Sequence, residues 1–207
     1  METLKALKYA TYIMGRPFDG FWDLKHEKRG NLKAAVILVG ITMLTFIFLN
    51  QNVGFLFGGD NPLEFNIIIE ACSVLVPFLL WCSSNWCLTT LMDGKGTFKE
   101  IFIATAYSLA PIVIIYIPTI ILTNVVTLEE SVFCIFLFGV ANIWFAVLLV
   151  IGTMCTHHYT MGKTILTCLL TIVGMGIMIF IGLLFFNLIE QMIMFASTLY
   201  KEIIFRL

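Results

Sequence analysis

Five apolar runs, residues 34–49, 67–91, 101–123, 132–155 and 165–188, alternate with short polar segments along the chain. Each comes close to the ~20 residues that a helix needs to cross the hydrocarbon core of a bilayer. They are apolar on every side and lack the two-residue alternation of membrane strands. The pattern predicts an all-α integral membrane protein, a five-helix bundle at 34–188, flanked by an amphipathic and aromatic arm at 1–33 and an amphipathic tail at 189–207.

In the arm, Leu4, Leu7, Lys8, Thr11, Tyr12 and Gly15 predict a short amphipathic helix ended by Gly15 and Pro17. The aromatic patch Phe18, Phe21 and Trp22 and the charges from Lys25 to Arg29 follow, a composition suited to the headgroup layer. In the tail, Ile189, Met192, Ile193, Ala196, Leu199, Tyr200, Ile203 and Ile204 recur at helical spacing opposite Gln191, Ser197, Lys201 and Glu202. That predicts an interfacial helix or a dock for a partner.

Composition leaves no room for a soluble domain: of 207 residues, 60% are hydrophobic and 12% charged, and the mean hydropathy is +0.99. The charges set an orientation. Lys5, Lys8, Arg16, Lys25, Lys28, Arg29 and Lys33 precede the first run, Lys95 and Lys99 lie between the second and third, and Lys163 between the fourth and fifth. The other connections carry Asp60, Glu64, Glu70, Glu129 and Glu130 and neither Lys nor Arg. Basic segments stay on the cytoplasmic side, which predicts a cytoplasmic N-terminus and, after five crossings, a C-terminus outside. The long charged stretch before the first run argues against a cleavable signal peptide.

Polar residues inside the runs are few. No acidic or basic side chain sits near the middle of a run, which argues against proton-coupled carriers and ion pumps; Glu70 and Glu190 fall at run ends. Pro77, Pro111 and Pro118 remove backbone donors and predict kinks, with Tyr107 and Ser108 beside them. Asn142, Asn187 and the small-residue stretch Gly174, Met175, Gly176 and Gly182 read as helix contacts. Between the second and third runs, Asp93, Gly94, Lys95, Gly96, Thr97, Phe98 and Lys99 predict a tight hairpin, with Thr97 capping the next helix. Its Gly94-Lys95-Gly96-Thr97 fragment lacks the first glycine and preceding strand of a phosphate-binding loop, so no nucleotide is expected.

The six cysteines, Cys72, Cys82, Cys87, Cys134, Cys155 and Cys168, lie in or at the edges of the runs without the paired spacing of a zinc site. Cys155, His157 and His158 are the one cluster that invites a metal, but adjacent histidines diverge on a helix and His26 lies far away in sequence. No nucleophile and base can be placed together, and intramembrane proteolysis would need an embedded histidine with a serine, or two aspartates. The expectation is a protein with no enzymatic activity, cofactor, metal or nucleic acid.

The arm Gly15-Arg16-Pro17-Phe18-Asp19-Gly20-Phe21-Trp22-Asp23-Leu24-Lys25, the hairpin Gly94-Lys95-Gly96-Thr97-Phe98-Lys99-Glu100, the segment Ala106-Tyr107-Ser108-Leu109-Ala110-Pro111 and the Gly162-Lys163-Thr164 start of the fifth run together resemble the Yip domain family, the Ypt/Rab-interacting membrane proteins, in its bacterial branch. The resemblance covers nearly the whole chain. The arm holds the Asp-Leu-Tyr-Gly-Pro motif of the eukaryotic branch only in scrambled order, and Ala106 replaces a glycine before the tyrosine, so small-GTPase binding is not carried over. The resemblance implies a non-enzymatic membrane protein that works through protein contacts. Its bacterial relatives are often encoded beside binding-protein-dependent sugar ABC transporters.

Three functions follow as expectations. The first is a scaffold or accessory subunit of a larger complex in the bacterial cytoplasmic membrane, such as an ABC importer with its permeases and ATPase, or a homo-oligomer. Its contacts with partners and lipid would come from Pro17, Phe18, Phe21 and Trp22, from Asp93, Gly94, Lys95, Gly96 and Lys99, and from a face around Gly174 and Gly176. The second is a channel or carrier for a small or lipidic solute, shaped by Pro77, Tyr107, Pro111 and Pro118 and lined by Ser83, Ser84 and Asn85. The third is membrane shaping by the two amphipathic ends.

Overall fold

The computed structural model describes residues 2–27, 30–54, 57, 66–127 and 129–206. Lys28, Arg29, Asp60 and Glu64, four of the charges used to orient the chain, lie outside the described residues, as do the side chains of Leu4, Lys5 and Arg206. The described residues form helices α1 (Glu2–Gly15), α2 (Pro17–His26), α3 (Leu32–Asn52), α4 (Ile67–Leu91), α5 (Phe98–Ser108), α6 (Ala110–Thr123), α7 (Ser131–His157) and α8 (Met161–Arg206). Five stretches are long and apolar enough to cross a membrane: α3, α4, α5 with α6, α7, and α8.

The α5–α6 span is the axis of the bundle. Of its most apolar window 67% is buried inside the protein, against 6% for α8. It packs on α3, α4 and α7. Close approach is possible because the buried positions are small: Ala34 and Ala35 on α3, Ala104, Ala106 and Ala110 on the axis and Ala141 on α7. Buried threonines return their hydroxyls to the preceding turn, as in Thr42 to Leu38 O and Thr119 to Ile115 O, so they enter the core without an unsatisfied group.

The axis breaks at Leu109. Pro111 has no N–H to give to Tyr107 O and its ring crowds that carbonyl, so α5 ends and α6 restarts with Pro111 in its first turn, where the missing donor costs nothing. The kink expected at Pro111 is therefore a full break, whereas α4 and α6 run unbroken through Pro77 and Pro118.

The arm is part of the packed structure. Ala6, Ala10 and Ile13, on one face of α1, are buried against α3 and α6. Tyr107, fully buried, donates its hydroxyl to Ala6 O at 3.1 Å. Helices α1 and α2 cross at Gly20, where a Cβ would stand 2.9 Å from Ile13 Cγ1. On α2, Phe21 and Leu24 turn inward, and the Phe21 ring lies where a Cβ on Gly152 would meet it at 3.1 Å. Phe21, expected on a contact surface, is thus a core residue: it shares the inward face with Leu24 three positions on, while Phe18 and Trp22 stay half exposed.

At the other end of the chain, α8 continues through the expected boundary at residue 188 without a break. Helix α8 carries the tail as far as Arg206 with no Gly or Pro beyond residue 188 to end it, so the amphipathic segment from 189 is joined to the fifth span as one helix. Beyond the bundle, two tethers close the end opposite the arm, Gly54 N–H to Thr123 Oγ1 at 3.0 Å and Asn124 Nδ2 to Asn52 O at 2.7 Å.

Candidate functional site

Where α4 meets α5 and α7 meets α8, a polar knot gathers residues from five elements. Its centre is His157, the last residue of α7, 1% exposed. Nε2 lies 3.2 Å from Asn85 Oδ1 on α4, and Nδ1 accepts from Gly96 N–H at 3.3 Å. The neutral ring with its proton on Nε2 satisfies both contacts. Asn85 passes the chain on, donating from Nδ2 to Thr171 Oγ1 on α8 at 3.3 Å, and Ser84 beside it donates to Thr171 O at 2.8 Å.

The hairpin 92–97 closes over this ring. A Cβ at Gly94 would stand 2.7 Å from His157 Nδ1, and one at Gly96 2.7 Å from Cε1. Because the ring is held at both nitrogens and stacked on Tyr159, with centroids 5.4 Å apart, it cannot yield. The two glycines are there for the imidazole beneath them, more than for the turn itself. Asp93 takes the left-handed conformation, φ 56°, that starts the turn. As expected, Thr97 caps α5, in a reciprocal box with Glu100: Glu100 N–H donates to Thr97 Oγ1 and Thr97 N–H to Glu100 Oε2 at 2.9 Å.

Two lysines complete the knot by meeting helix C-termini, where carbonyls are left over and the dipole is negative. Lys163 Nζ donates to Met92 O at 2.8 Å, sharing that carbonyl with Tyr159 OH at 2.9 Å, and lies 4.3 Å above the Tyr159 ring. Lys25, reaching from α2, donates to Thr156 O in the last turn of α7. Burial holds the Lys25 ammonium below its ordinary pKa, and Lys95 adds to this while Glu100 opposes it. Burial raises the Tyr159 phenol, helped by Asp93. Below the knot lies a cavity of about 10 Å³ lined in part by Asn85, Thr105, Thr153, Thr156 and His157, the size and polarity for a single water.

A family model of the Yip1 domain matches residues 11–188 of this fold. The chain belongs to the Yip1 domain family. The Yip1 region takes in the last five residues of α1, all of α2, the first four spans and α8 as far as residue 188, leaving 189–207 outside. No curated protein and no solved structure matches the chain.

Within the Yip1 domain the expected contact residues fall into three places. Asp93, Gly94, Lys95 and Gly96 belong to the knot and Lys99 is exposed on α5 beside it. Pro17 opens α2, Phe18 and Trp22 are half exposed on it, and Phe21 is buried. Gly174 and Gly176 do not share a face: a Cβ on Gly174 would stand 2.4 Å from Ser84 Oγ, whereas Gly176 meets nothing within 4 Å. Two residues apart on a helix point in nearly opposite directions, so Gly174 serves the α4–α8 crossing and only Gly176 looks outward.

Nothing local in the sequence marks His157, Lys25 or Lys163 as members of one knot, because their partners lie on other elements. Adjacent histidines diverge as expected, His157 inward and His158 outward, but the signal for His157 was the pair of glycines facing it from another element. Among the described residues, no three His, Cys, Asp or Glu side chains are placed to hold a metal ion. The arrangement ties five elements together, and both nitrogens of its one buried imidazole are occupied.

Proposed function

We propose that the chain is a non-enzymatic scaffold or accessory subunit of a larger membrane complex, specifically a bacterial binding-protein-dependent sugar ABC transporter. It sits in the cytoplasmic membrane with its N-terminus and polar knot inside and its C-terminus outside. The observation that carries this reading is α8. It has 46 residues, ~69 Å at 1.5 Å per residue, against ~30 Å of hydrocarbon. Only its first half packs, on α4 and α7, and from Ile177 to Phe205 most of its large apolar side chains are exposed, all round the helix as far as Leu188 and opposite Gln191, Ser197, Lys201 and Glu202 beyond it. A bilayer covers about half of such a helix, and apolar surface beyond it calls for protein cover. The ABC transporter as the partner rests on the family resemblance in the arm and hairpin.

The polar residues that favour a carrier support packing instead. Ser84 and Asn85 are bonded to Thr171 and His157, and the cavity beside them, about 10 Å³, has room for one water. Gentle detergent extraction of the tagged protein, followed by mass spectrometry, tests the scaffold reading. The expected result is permease and ATPase subunits in stoichiometric amount; a clean homo-oligomer would contradict it.

A further inference from the structure

Three aromatic rings cluster beside the polar knot, where α2 meets the end of α7. Trp22 and His26, on α2, stack with centroids 4.0 Å apart. His158, the left-handed residue that ends α7, brings its ring to 5.4 Å from His26 and 5.8 Å from Trp22. All three side chains are exposed. His26 Nδ1 lies 3.0 Å from Trp22 O, which only a donor can satisfy, so Nε2 of the exposed ring is left to accept or, once protonated, to donate; the His158 ring has no hydrogen-bond partner among the described residues, its backbone N–H alone being bonded, to Met154 O.

We propose that His26, His158 and Trp22 form a site for the phosphate of an anionic phospholipid headgroup, filled as pH falls. Histidine is the side chain that gains charge in mildly acidic water. Two imidazolium rings this close repel, and they share their surroundings with Lys25 on α2 and Lys95 in the hairpin. The acid that acts on His158 from the hairpin side is Glu100, already bonded to Thr97 N–H. On α2, Asp23 accepts from Tyr9 OH and Glu27 ends the helix, while the neighbouring His157 is tied to Asn85 and Gly96. The nearest protein charges are therefore mostly positive, and a bridging oxyanion answers both rings with charge-assisted N–H···O bonds. Trp22 sets the depth, because a half-exposed indole rests at the headgroup layer.

Burial, then Lys25, His26 and Lys95, holds His158 below the ordinary imidazole pKa. A bound anion favours the charged form and works against that shift, so proton uptake and headgroup binding reinforce each other. The chain has three histidines, which makes imidazole NMR a direct readout. The protein in an uncharged detergent, which avoids a charged-membrane background, is titrated with short-chain phosphatidylglycerol, short-chain phosphatidylcholine and inorganic phosphate at about pH 5 and about pH 7.5, well below and above the ordinary imidazole pKa.

Phosphatidylglycerol is expected to shift the His26 and His158 signals saturably at the lower pH, leaving His157 in place. Binding falls about ten-fold at the higher pH and about ten-fold in either His26→Gln or His158→Asn, the loss of one charge-assisted hydrogen bond. Asparagine tolerates the left-handed backbone, and an unchanged His157 signal verifies that each variant is folded. Equal binding of phosphatidylcholine, binding independent of pH, or insensitivity to both substitutions would overturn the site. Inorganic phosphate binding as tightly as the lipid would overturn the headgroup as its ligand.

Discussion

At the scale of residues, two glycines separated by one lysine carry the connection between α4 and α5. Gly94 and Gly96 lie against a ring that can neither slide nor rotate, so even one methyl group overpacks the site. Gly96→Ala is expected to destabilise the protein by about 1–3 kcal/mol in a detergent unfolding titration. Gly176→Ala, on an open helix face, is expected to stabilise by about 0.5–1 kcal/mol. Equal effects would show that these glycines serve the turn alone. The glycines were legible in the sequence as a turn, because turn chemistry is local. Their second purpose was not, because His157 is 61 positions from Gly96 and only the folded bundle brings the two together.

At the scale of elements, the spans were legible because a bilayer imposes length and apolarity on any crossing helix, and each apolar run lies inside one observed span. The break at Leu109 followed from proline chemistry. The arm was only half legible. Its helix, ending at Gly15, follows from amphipathic spacing, but that spacing does not say whether the apolar face meets lipid or protein. Ala6, Ala10 and Ile13 meet protein, and Tyr107 on the axis holds α1 through the carbonyl of Ala6. Tyr107→Phe removes that bond, while Ala6 O keeps its partner within α1. It is expected to cost about 0.5–1.5 kcal/mol and to speed amide exchange in α1 ahead of the spans. Exchange that changes uniformly across α1 and α3 would mean that the hydroxyl is not the tether.

At the scale of the molecule, the two ends of the bundle are built differently. One is closed by the polar knot, where Lys25 and Lys163 meet the C-termini of α7 and α4 and His157 joins the hairpin to α4. The other carries short tethers between α3 and α6 and the exposed acids Glu129 and Glu130. Two basic residues, Lys25 and Lys163, thus meet helix ends, which sequence counting cannot separate from a membrane-surface role. Helix α8 stands apart, packed for half its length, apolar all round through its middle and amphipathic from 189 onward, where the tail continues it without a break. We propose that its exposed half is a protein-binding surface. A photo-crosslinking residue placed at successive positions from Ile177 to Phe205 in the native membrane tests this. The expected result is adducts to one protein, recurring every three to four positions along one face of the helix. Adducts to lipid alone at every position would contradict it.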